Sequence, residues 1–277
     1  MNATQRLGKK KNKKEEPKTP ITPVIPVAPV ALERTTTKEE PKKPPIKIMF
    51  CLPGSNFTND FLKSLIATIS WCIKNNINIS VRNNTGANIY AVREDLLDTV
   101  VDMKTKERAL FNGEGYDYIL WIDSDMKWKP EDIKTLLDAD KDIISGACLK
   151  TNGEFAATYF FEEGTDRLIL SPKLEGEHFM PEMFDNKSIP GTDLAKMNEP
   201  VEVSAVGFAF ILFKKGVFEK FGPPWFMQVT HKNPRFENTS YFSEDFSFCI
   251  RARAAGFKIW FHPKAVIGHK KEMILMP

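Results

Sequence analysis

From residue 46 onward, short apolar runs alternate with segments whose apolar residues have helical spacing, and this alternation predicts an α/β fold. Short apolar runs, typical of buried strands, cover residues 46–52, 116–122 and 142–148. Residues 61–73 instead space their apolar side chains three and four positions apart, which indicates a helix. Strands that alternate with helices favour a parallel, doubly wound sheet. We therefore expect one α/β domain with a mostly parallel sheet flanked by helices.

The same pattern predicts the faces and ends of individual helices. The expected apolar face of the first helix consists of Phe61, Leu62, Leu65, Ile66, Ile69, Cys72 and Ile73. A second helix is expected over about 91–110, and a third begins at Pro130 because proline suits the first helical position. A further helix is expected to start after Ser243 as its N-cap and to stop at Gly256. Residues 151–200 show no clear period and predict antiparallel strands with a surface loop.

The first 45 residues differ in composition from the rest of the chain. They hold 8 of the 19 prolines, no aromatic residue, and 11 Lys and Arg against 5 Asp and Glu. Their net charge of +6 exceeds the +3 of the whole chain, so residues 46–277 sum to −3. Such a segment buries too little apolar surface to offset its chain entropy. We predict a disordered Lys/Pro-rich tail over 1–45, able to contact an anionic partner weakly, and a folded domain over 46–277.

Several sequence features bear on the compartment of the protein. No run of 18 apolar residues is present, and no signal peptide is recognisable. The four cysteines lie far apart without a CxxC pair, which is typical of reduced core residues rather than of disulfides or a zinc site. These are Cys51, Cys72, Cys148 and Cys249. The expectation is a cytoplasmic protein without a transmembrane segment.

The clearest chemical signal is Asp123-Ser124-Asp125, directly after the apolar run 116–122. Ligands of open α/β sheets bind where the strands end, so both carboxylates are expected at a binding crevice. Two carboxylates one residue apart, together with substrate phosphates, are typical ligands of Mg²⁺ or Mn²⁺. The alternative is that they only cap the turn before Pro130. The sequence therefore suggests a metal-assisted enzyme that acts on a diphosphate.

Three separated segments, taken in order, resemble glycosyltransferases of the GT-A fold, most closely the inverting family 2. The first is the segment from Tyr118 to Met126, which contains Asp125 and is followed by Pro130. The second runs from Gly207 through Trp225 and Glu244-Asp245 to Gly256. The third is His269. A single D-x-D motif is weak, whereas all three elements in order are specific. The resemblance covers about residues 46–270 and implies a GT-A domain with a nucleotide diphosphate sugar as donor.

The resemblance also implies roles for the candidate metal site. Asp125 would bind the cation directly, and His269 would be the distal ligand, which favours Mn²⁺ over Mg²⁺. Asp123 would hold the ribose of the donor or reach the metal through water. His269 could instead be a plain surface histidine.

Further roles concern catalysis and the substrates. Asp245 would be the general base and Glu244 would bind the acceptor, although these roles could be exchanged or both residues could merely favour a helix start. The donor's base and ribose would lie near Pro53, Gly54 and Ser55. Arg93 would contact the donor, or alternatively pair with its neighbours Glu94 or Asp95. The large aromatic side chains Trp225 and Phe226 are either sugar platforms or core.

The leading hypothesis is a metal-dependent transferase that moves a sugar to an acceptor hydroxyl with inversion. The sequence does not specify the acceptor, which could be a glycan, a glycoprotein, a lipid or a modified nucleic acid. A retaining transferase of the same fold and a catalytically silent nucleotide-sugar binder are the alternatives. A nucleotidyltransferase is disfavoured because residues 53–56 lack a Gly-rich, basic loop.

Overall fold

The structure is a computed structural model, and it describes residues 44–101, 103–104, 108–176, 178–180, 184–233 and 238–271. The expected tail over 1–45 lies outside the described residues except for its last two positions. The division of the chain at residue 45 therefore stays a prediction.

Within the described residues, helices are interspersed with strands up to residue 148, whereas strands predominate over residues 154–241. The α-helices are α1 Asn59–Lys74, α2 Ile89–Asp95, α3 Pro130–Asp138, α4 Val217–Phe221 and α5 Glu244–Ala254. The first strands are β1 Ile46–Pro53, β2 Ile77–Asn84, β3 Val100–Val101, β4 Arg108–Ala109, β5 Tyr118–Ile122, β6 Met126–Lys127, β7 Ile143–Cys148 and β8 Glu154–Glu162. The remaining strands are β9 Lys173–Glu175, β10 His178–Met180, β11 Phe184–Pro190, β12 Val201–Val203, β13 Ala205–Val206, β14 Phe210–Lys214, β15 Thr230–Asn233, β16 Asn238–Tyr241 and β17 Ile259–His269. Short 3₁₀ segments cover Phe111–Gly113 and Gly191–Lys196.

The main sheet is mixed, so the expectation of a mostly parallel sheet is wrong. Its strand order is β12-β17-β7-β14-β5-β1-β2, with β6 paired to β17. Strand β1 runs parallel to β2 and β5, but β14 is antiparallel to both β5 and β7. Between β7 and β14 the chain forms smaller sheets instead of a crossover helix. An antiparallel strand needs no such crossover, which is why β14 can enter the middle of the sheet.

The core lies on both faces of this sheet. Successive residues of β1 point to opposite faces, so Met49 and Cys51 join one apolar cluster while Ile48 and Phe50 join the other. Helices α1 and α3 cover the second cluster, and α2, α4 and α5 cover the first. Because β1 and β5 are buried on both faces, their sequences read as continuous apolar runs.

Helix α1 buries a different face from the one that its apolar pattern predicts. Its buried residues are Phe61, Ser64, Thr68 and Cys72. Four of the seven predicted core residues are exposed instead: Leu62, Ile66, Ile69 and Ile73. The reason is Trp128, whose backbone N–H donates to Ser64 Oγ at 3.1 Å and whose Nε1–H donates to Thr68 Oγ1 at 2.8 Å. These hydrogen bonds place two polar side chains of α1 in the interior.

The helix expected over 91–110 is also wrong beyond its first turns. Helix α2 ends at Asp95, and Val100–Val101 pairs as a strand with Arg108–Ala109. Asp98 has a φ of +42°, which interrupts the helical path. The β-branched pair Val100-Val101 suits the strand conformation that follows.

Other local predictions are confirmed. Helix α3 begins at Pro130, and α5 begins after Ser243 and is followed by Gly256 with a φ of +91°. All four cysteines are free and buried. In the part of the chain that the structure describes, no helix is both long and apolar enough to cross a membrane.

Candidate active site

A cleft of about 300 Å³ opens where β1, β2 and β5 end, beside the start of α5. Six of the residues singled out by sequence line it: Pro53, Gly54, Arg93, Asp123, Asp125 and Glu244. The cleft is at this position because the carboxyl ends of parallel strands meet at one edge of a sheet. The remaining wall was not predicted and consists of Thr85, Gly86, Ile89, Val92 and Ser124.

The loop after β1 is held against the end of β2. The N–H of Gly54 donates to Asn84 O at 2.9 Å, and Asn83 Nδ2 donates to Gly54 O at 2.8 Å. Gly54 has a φ of +122°, and a Cβ built on it would lie 3.0 Å from Ser124 Oγ. A side chain there would therefore be strained and would crowd the D-x-D turn. Ser55 is exposed and does not line the cleft.

Arg93 joins the carboxylates of two distant segments. Its Nη2 lies 3.3 Å from Asp123 Oδ1, and its Nε lies 3.3 Å from Glu244 Oε1. These are its ion-pair partners, rather than the sequence neighbours that were the alternative. Only 3% of the Arg93 side chain is exposed. The guanidinium thus positions Asp123 and Glu244 from beneath the cleft.

The surroundings of this guanidinium are aromatic. Arg93 Cζ lies 5.3 Å from the ring centroid of Trp121 and 5.4 Å from that of Phe208. Its Nη1 is buried and has no hydrogen-bond partner among the described residues. Burial raises the pKa of Asp123, and the positive charge of Arg93 opposes that rise.

Asp125 and His269 face each other across the end of the sheet. His269 Nε2 lies 3.0 Å from Asp125 Oδ2, while His269 Nδ1 lies 3.0 Å from the carbonyl oxygen of Leu149. A carbonyl only accepts, so Nδ1 must carry the hydrogen, and in the neutral ring Nε2 then presents a lone pair to the carboxylate. In that neutral form the two acceptors need a positive charge between or beside them, which either a proton on Nε2 or a bound cation supplies.

The pair fits a divalent cation on two counts. Adjacent ligands of an octahedral ion with bonds of about 2.1 Å lie about 3.0 Å apart, which is the separation between Asp125 Oδ2 and His269 Nε2. A backbone carbonyl that fixes the tautomer of the histidine is also usual for metal ligands. No group of three or more His, Cys, Asp or Glu able to hold a metal occurs among the described residues.

A lysine also contacts this pair. Lys271 Nζ lies 3.0 Å from Asp125 Oδ2, and the N–H of Lys270 donates to Asp125 O at 2.9 Å. The end of β17 reaches Asp125 because Gly268 and His269 pair with Lys127 and Met126 of β6.

Asp245 lies in the first turn of α5 and combines one fixed oxygen with one less constrained oxygen. Its Oδ1 accepts hydrogen bonds from Ser243 Oγ and from the N–H of Phe246. Its Oδ2 faces Gly207: a Cβ added to Gly207 would lie 3.5 Å from this oxygen. Burial, aided by the negative charge of Glu244, raises the pKa of Asp245 to about 6. A carboxyl group with that pKa can accept a proton near neutral pH.

The two aromatic candidates for a sugar platform are core residues. Trp225 is 1% exposed and Phe226 is 0% exposed, so both rings pack in the core, although Phe226 also borders the larger cleft that lies beside this one. Trp225 Nε1 donates to Phe218 O at 2.6 Å. This bond satisfies the indole inside the core.

A larger cleft of about 660 Å³ lies beside the first and shares Ile89 with it. Its wall carries Tyr90 and Gln228, and Gln228 Nε2 donates to Tyr90 Oη at 2.6 Å. Glu94 also lines this cleft and accepts from the N–H of Phe226 at 2.7 Å. Sequence reasoning missed this cleft, because residues 87–91 and 224–228 meet only in the folded chain.

Comparison with sequence models of protein families gave no match, and comparison with curated proteins gave none either. Among solved structures, A197 from STIV matches 84% of this chain and 98% of its own with 14% identity and a TM-score of 0.43. TarS 1–349 from S. aureus matches 81% of this chain and 60% of its own, with 11% identity and a TM-score of 0.38. The inositol-1-phosphate CTP transferase from T. maritima matches 82% of this chain and 90% of its own, with 10% identity and a TM-score of 0.36. Likeness at this level assigns no activity to this chain.

Proposed function

We propose that this protein is a divalent-metal-dependent glycosyltransferase that moves a sugar from a nucleotide diphosphate sugar to an acceptor hydroxyl with inversion. The observation that carries the proposal is the paired Asp125 Oδ2 and His269 Nε2, 3.0 Å apart with the histidine tautomer fixed by Leu149. In the neutral form of His269 both lone pairs converge on one point at the edge of a cleft where the parallel strands end.

The charge balance of the cleft supports a cation-bridged phosphate substrate. Three lining residues are carboxylates, Asp123, Asp125 and Glu244, and Arg93 is the one lining guanidinium. Lys271 adds a second positive charge at Asp125. Negative charge remains in excess, and it would repel a free diphosphate. A divalent ion on Asp125 and His269 would reverse that repulsion and, when bound, would stabilise the negative charge that develops on the leaving nucleotide diphosphate.

The residues of the chain divide the remaining work. Asp123, oriented by Arg93, accepts hydrogen bonds from ribose hydroxyls, and Pro53 and Gly54 form the wall for the base. Asp245 Oδ2 takes the proton from the acceptor hydroxyl as the oxygen of that hydroxyl attacks the anomeric carbon of the donor sugar. The bond between this carbon and the phosphate oxygen breaks, and its electron pair leaves with the nucleotide diphosphate. A single displacement inverts the configuration.

The adjoining cleft lined by Tyr90 and Gln228 is the entry for the acceptor in this scheme. It lies next to the donor cleft at Ile89 and offers an aromatic hydroxyl and an amide. These groups suit recognition of a polyhydroxylated acceptor by hydrogen bonds.

The first experiment is a thermal-shift panel of nucleotide diphosphate sugars, each with Mn²⁺ and with EDTA. A donor at 100 times its dissociation constant stabilises the folded state by about 2.7 kcal/mol. A shift that requires both donor and metal supports the proposal and identifies the nucleotide. If the protein is well folded and no donor in the panel changes its melting temperature, the proposal is contradicted. Donor binding without release of nucleotide diphosphate, across an acceptor panel that includes water, points to the silent binder.

A further inference from the structure

Helix α1 carries a narrow apolar ridge on its outer face, formed by Leu62, Ile66, Ile69 and Ile73. These side chains are 47%, 65%, 37% and 75% exposed, respectively. Their spacing of four, three and four residues is that of a coiled-coil seam, which is narrower than the apolar face of a helix that packs on a sheet. A contiguous apolar strip of this kind on a folded protein marks an interaction surface.

The strand beneath this helix adds an open edge. Strand β2 ends the order of the main sheet, and no strand pairs with its outer side in the part of the chain that the structure describes. Ile77 and Ile79 of β2 share a core cluster with Phe61 of α1, so Val81 follows them on the same face of the sheet. Val81 is 44% exposed. An edge of eight residues without proline is a template for pairing with another strand.

We infer that the α1 ridge and the β2 edge together form a twofold interface with a second copy of this chain. A twofold axis across the β2 edge pairs two β2 strands antiparallel and lays two α1 helices antiparallel beside them. Asp60 lies in the first turn of α1 and Lys74 in its last turn. The antiparallel arrangement therefore brings Asp60 of each copy towards Lys74 of the other, so the charges at the ends of the helix are complementary.

Interface size also favours a partner that uses both features. A stable interface buries about 800 Å² on each side. Four side chains of one helix supply only part of that area, and an eight-residue strand edge beside them extends the contact.

A lipid surface fits the same region less well. It cannot pair with the backbone N–H and C=O groups of the β2 edge. Helices that bind at a membrane interface also place aromatic side chains on the apolar face. Both aromatic residues of α1 lie off the ridge: Phe61 is 1% exposed, and the partly buried Trp71 packs against the same core cluster as Phe61.

Sedimentation velocity of the full chain tests the proposal. A species of twice the 31.6 kDa chain mass is expected at high protein concentration. Ile66→Lys and Ile73→Lys should each weaken the dimer, raising its dissociation constant about tenfold or more. Met103→Lys is the matched control, because Met103 is 76% exposed and lies outside α1 and β2. It should leave the dimer unchanged, and circular dichroism should show that all variants are folded.

Cysteine cross-linking tests the arrangement of the helices. Antiparallel pairing sets Ile66 opposite Ile69 of the second copy, so the double variant Ile66→Cys/Ile69→Cys should form a covalent dimer on oxidation. The native cysteines are buried and do not interfere. A chain that stays monomeric at every concentration, or a dimer that survives Ile66→Lys, overturns the proposal. Flotation of a monomer with phosphatidylserine vesicles that depends on Ile66 overturns it in favour of a lipid surface.

Discussion

His269 Nε2 lies 3.0 Å from Asp125 Oδ2, while Nδ1 of the same ring lies 3.0 Å from the carbonyl oxygen of Leu149, which can only accept a hydrogen bond. The pairing of β17 with β6 builds this contact, since it brings residues 268–269 beside residues 126–127. The two atoms come from positions 144 residues apart in the chain. This arrangement favours a positive charge at Asp125, and Lys271 Nζ, 3.0 Å from Asp125 Oδ2, already supplies one.

Removal of either group should therefore weaken cation binding. Asp125→Asn and His269→Ala are each expected to lower the affinity for Mn²⁺ about tenfold or more, because each removes one of the proposed protein ligands. Electron paramagnetic resonance of free Mn²⁺, titrated with protein alone, measures this without reference to turnover. Asp138→Asn, an exposed carboxylate of α3 that pairs with Lys134, is the control. Equal Mn²⁺ affinity in all variants would refute the metal site.

Replacement of Asp245 should abolish chemistry and spare donor binding. Asp245→Asn keeps an oxygen for the Phe246 N–H but cannot take a proton, so turnover is expected to fall about 10²–10⁴-fold. Release of nucleotide diphosphate measures turnover, and a thermal shift with the donor measures binding. Glu244→Gln is the comparison, and it should lose less turnover if Glu244 holds the acceptor. Turnover that survives Asp245→Asn would show that another group is the base.

Activity and stability should depend on pH in opposite directions through Asp245. Its pKa is about 6 in the folded protein, against an ordinary value of 3.8. The base works only when deprotonated, so kcat/KM should fall about tenfold per pH unit below pH 6. Because the folded-state pKa is raised, protonation of Asp245 stabilises the folded protein in full below about pH 4, and this stabilisation is lost progressively as the pH rises from 4 through 6. Asp245→Asn should therefore gain stability relative to the wild type between these values, as chemical denaturation across pH would show. A flat difference would contradict the raised pKa.

Part of the lining of the cleft follows from simple sequence rules, whereas the rest of the lining and the contacts among its residues do not. Asp123 and Asp125 follow an apolar strand, and Pro53 and Gly54 follow another. The rule that ligands bind at strand ends is therefore enough to place them in one crevice. Their catalytic roles stay predictions. The partners of Arg93 lie 30 and 151 positions away, so no local pattern indicates them.

Helix α1 shows why a strong pattern can still give the wrong face. The seven apolar residues over 61–73 satisfy helical spacing, and the helix does form. Which side it buries was decided by Trp128, a residue of another segment whose N–H groups need the oxygens of Ser64 and Thr68. Likewise, the direction of β14 depends on its neighbours β5 and β7, and not on its own apolar sequence.

Loss of Arg93 should destabilise the whole site. Arg93→Met fills the space between Trp121 and Phe208 but leaves Asp123 and Glu244 facing each other without a cation. Breaking a buried ion pair in this way costs about 3–5 kcal/mol, and partial exposure of Asp123, at 34%, places the expected value at the lower end. Urea denaturation measures the change. The double variant Arg93→Met/Glu244→Gln should recover part of it, and no recovery would show that the charge pair is not the cause.

Thr68 provides a test of the inward face of α1 that is independent of catalysis. Thr68→Val preserves shape but removes the acceptor of the Trp128 Nε1 hydrogen bond, which is 2.8 Å long and buried. A buried donor left without a partner costs about 1–3 kcal/mol. Ser70→Ala on the exposed side of the same helix is the control, since Ser70 Oγ donates only to Ile66 O. It should stay near wild-type stability. If Thr68→Val were as stable as Ser70→Ala in urea denaturation, the orientation of α1 would be wrong, and the exposed ridge of leucine and isoleucine would lose its basis as well.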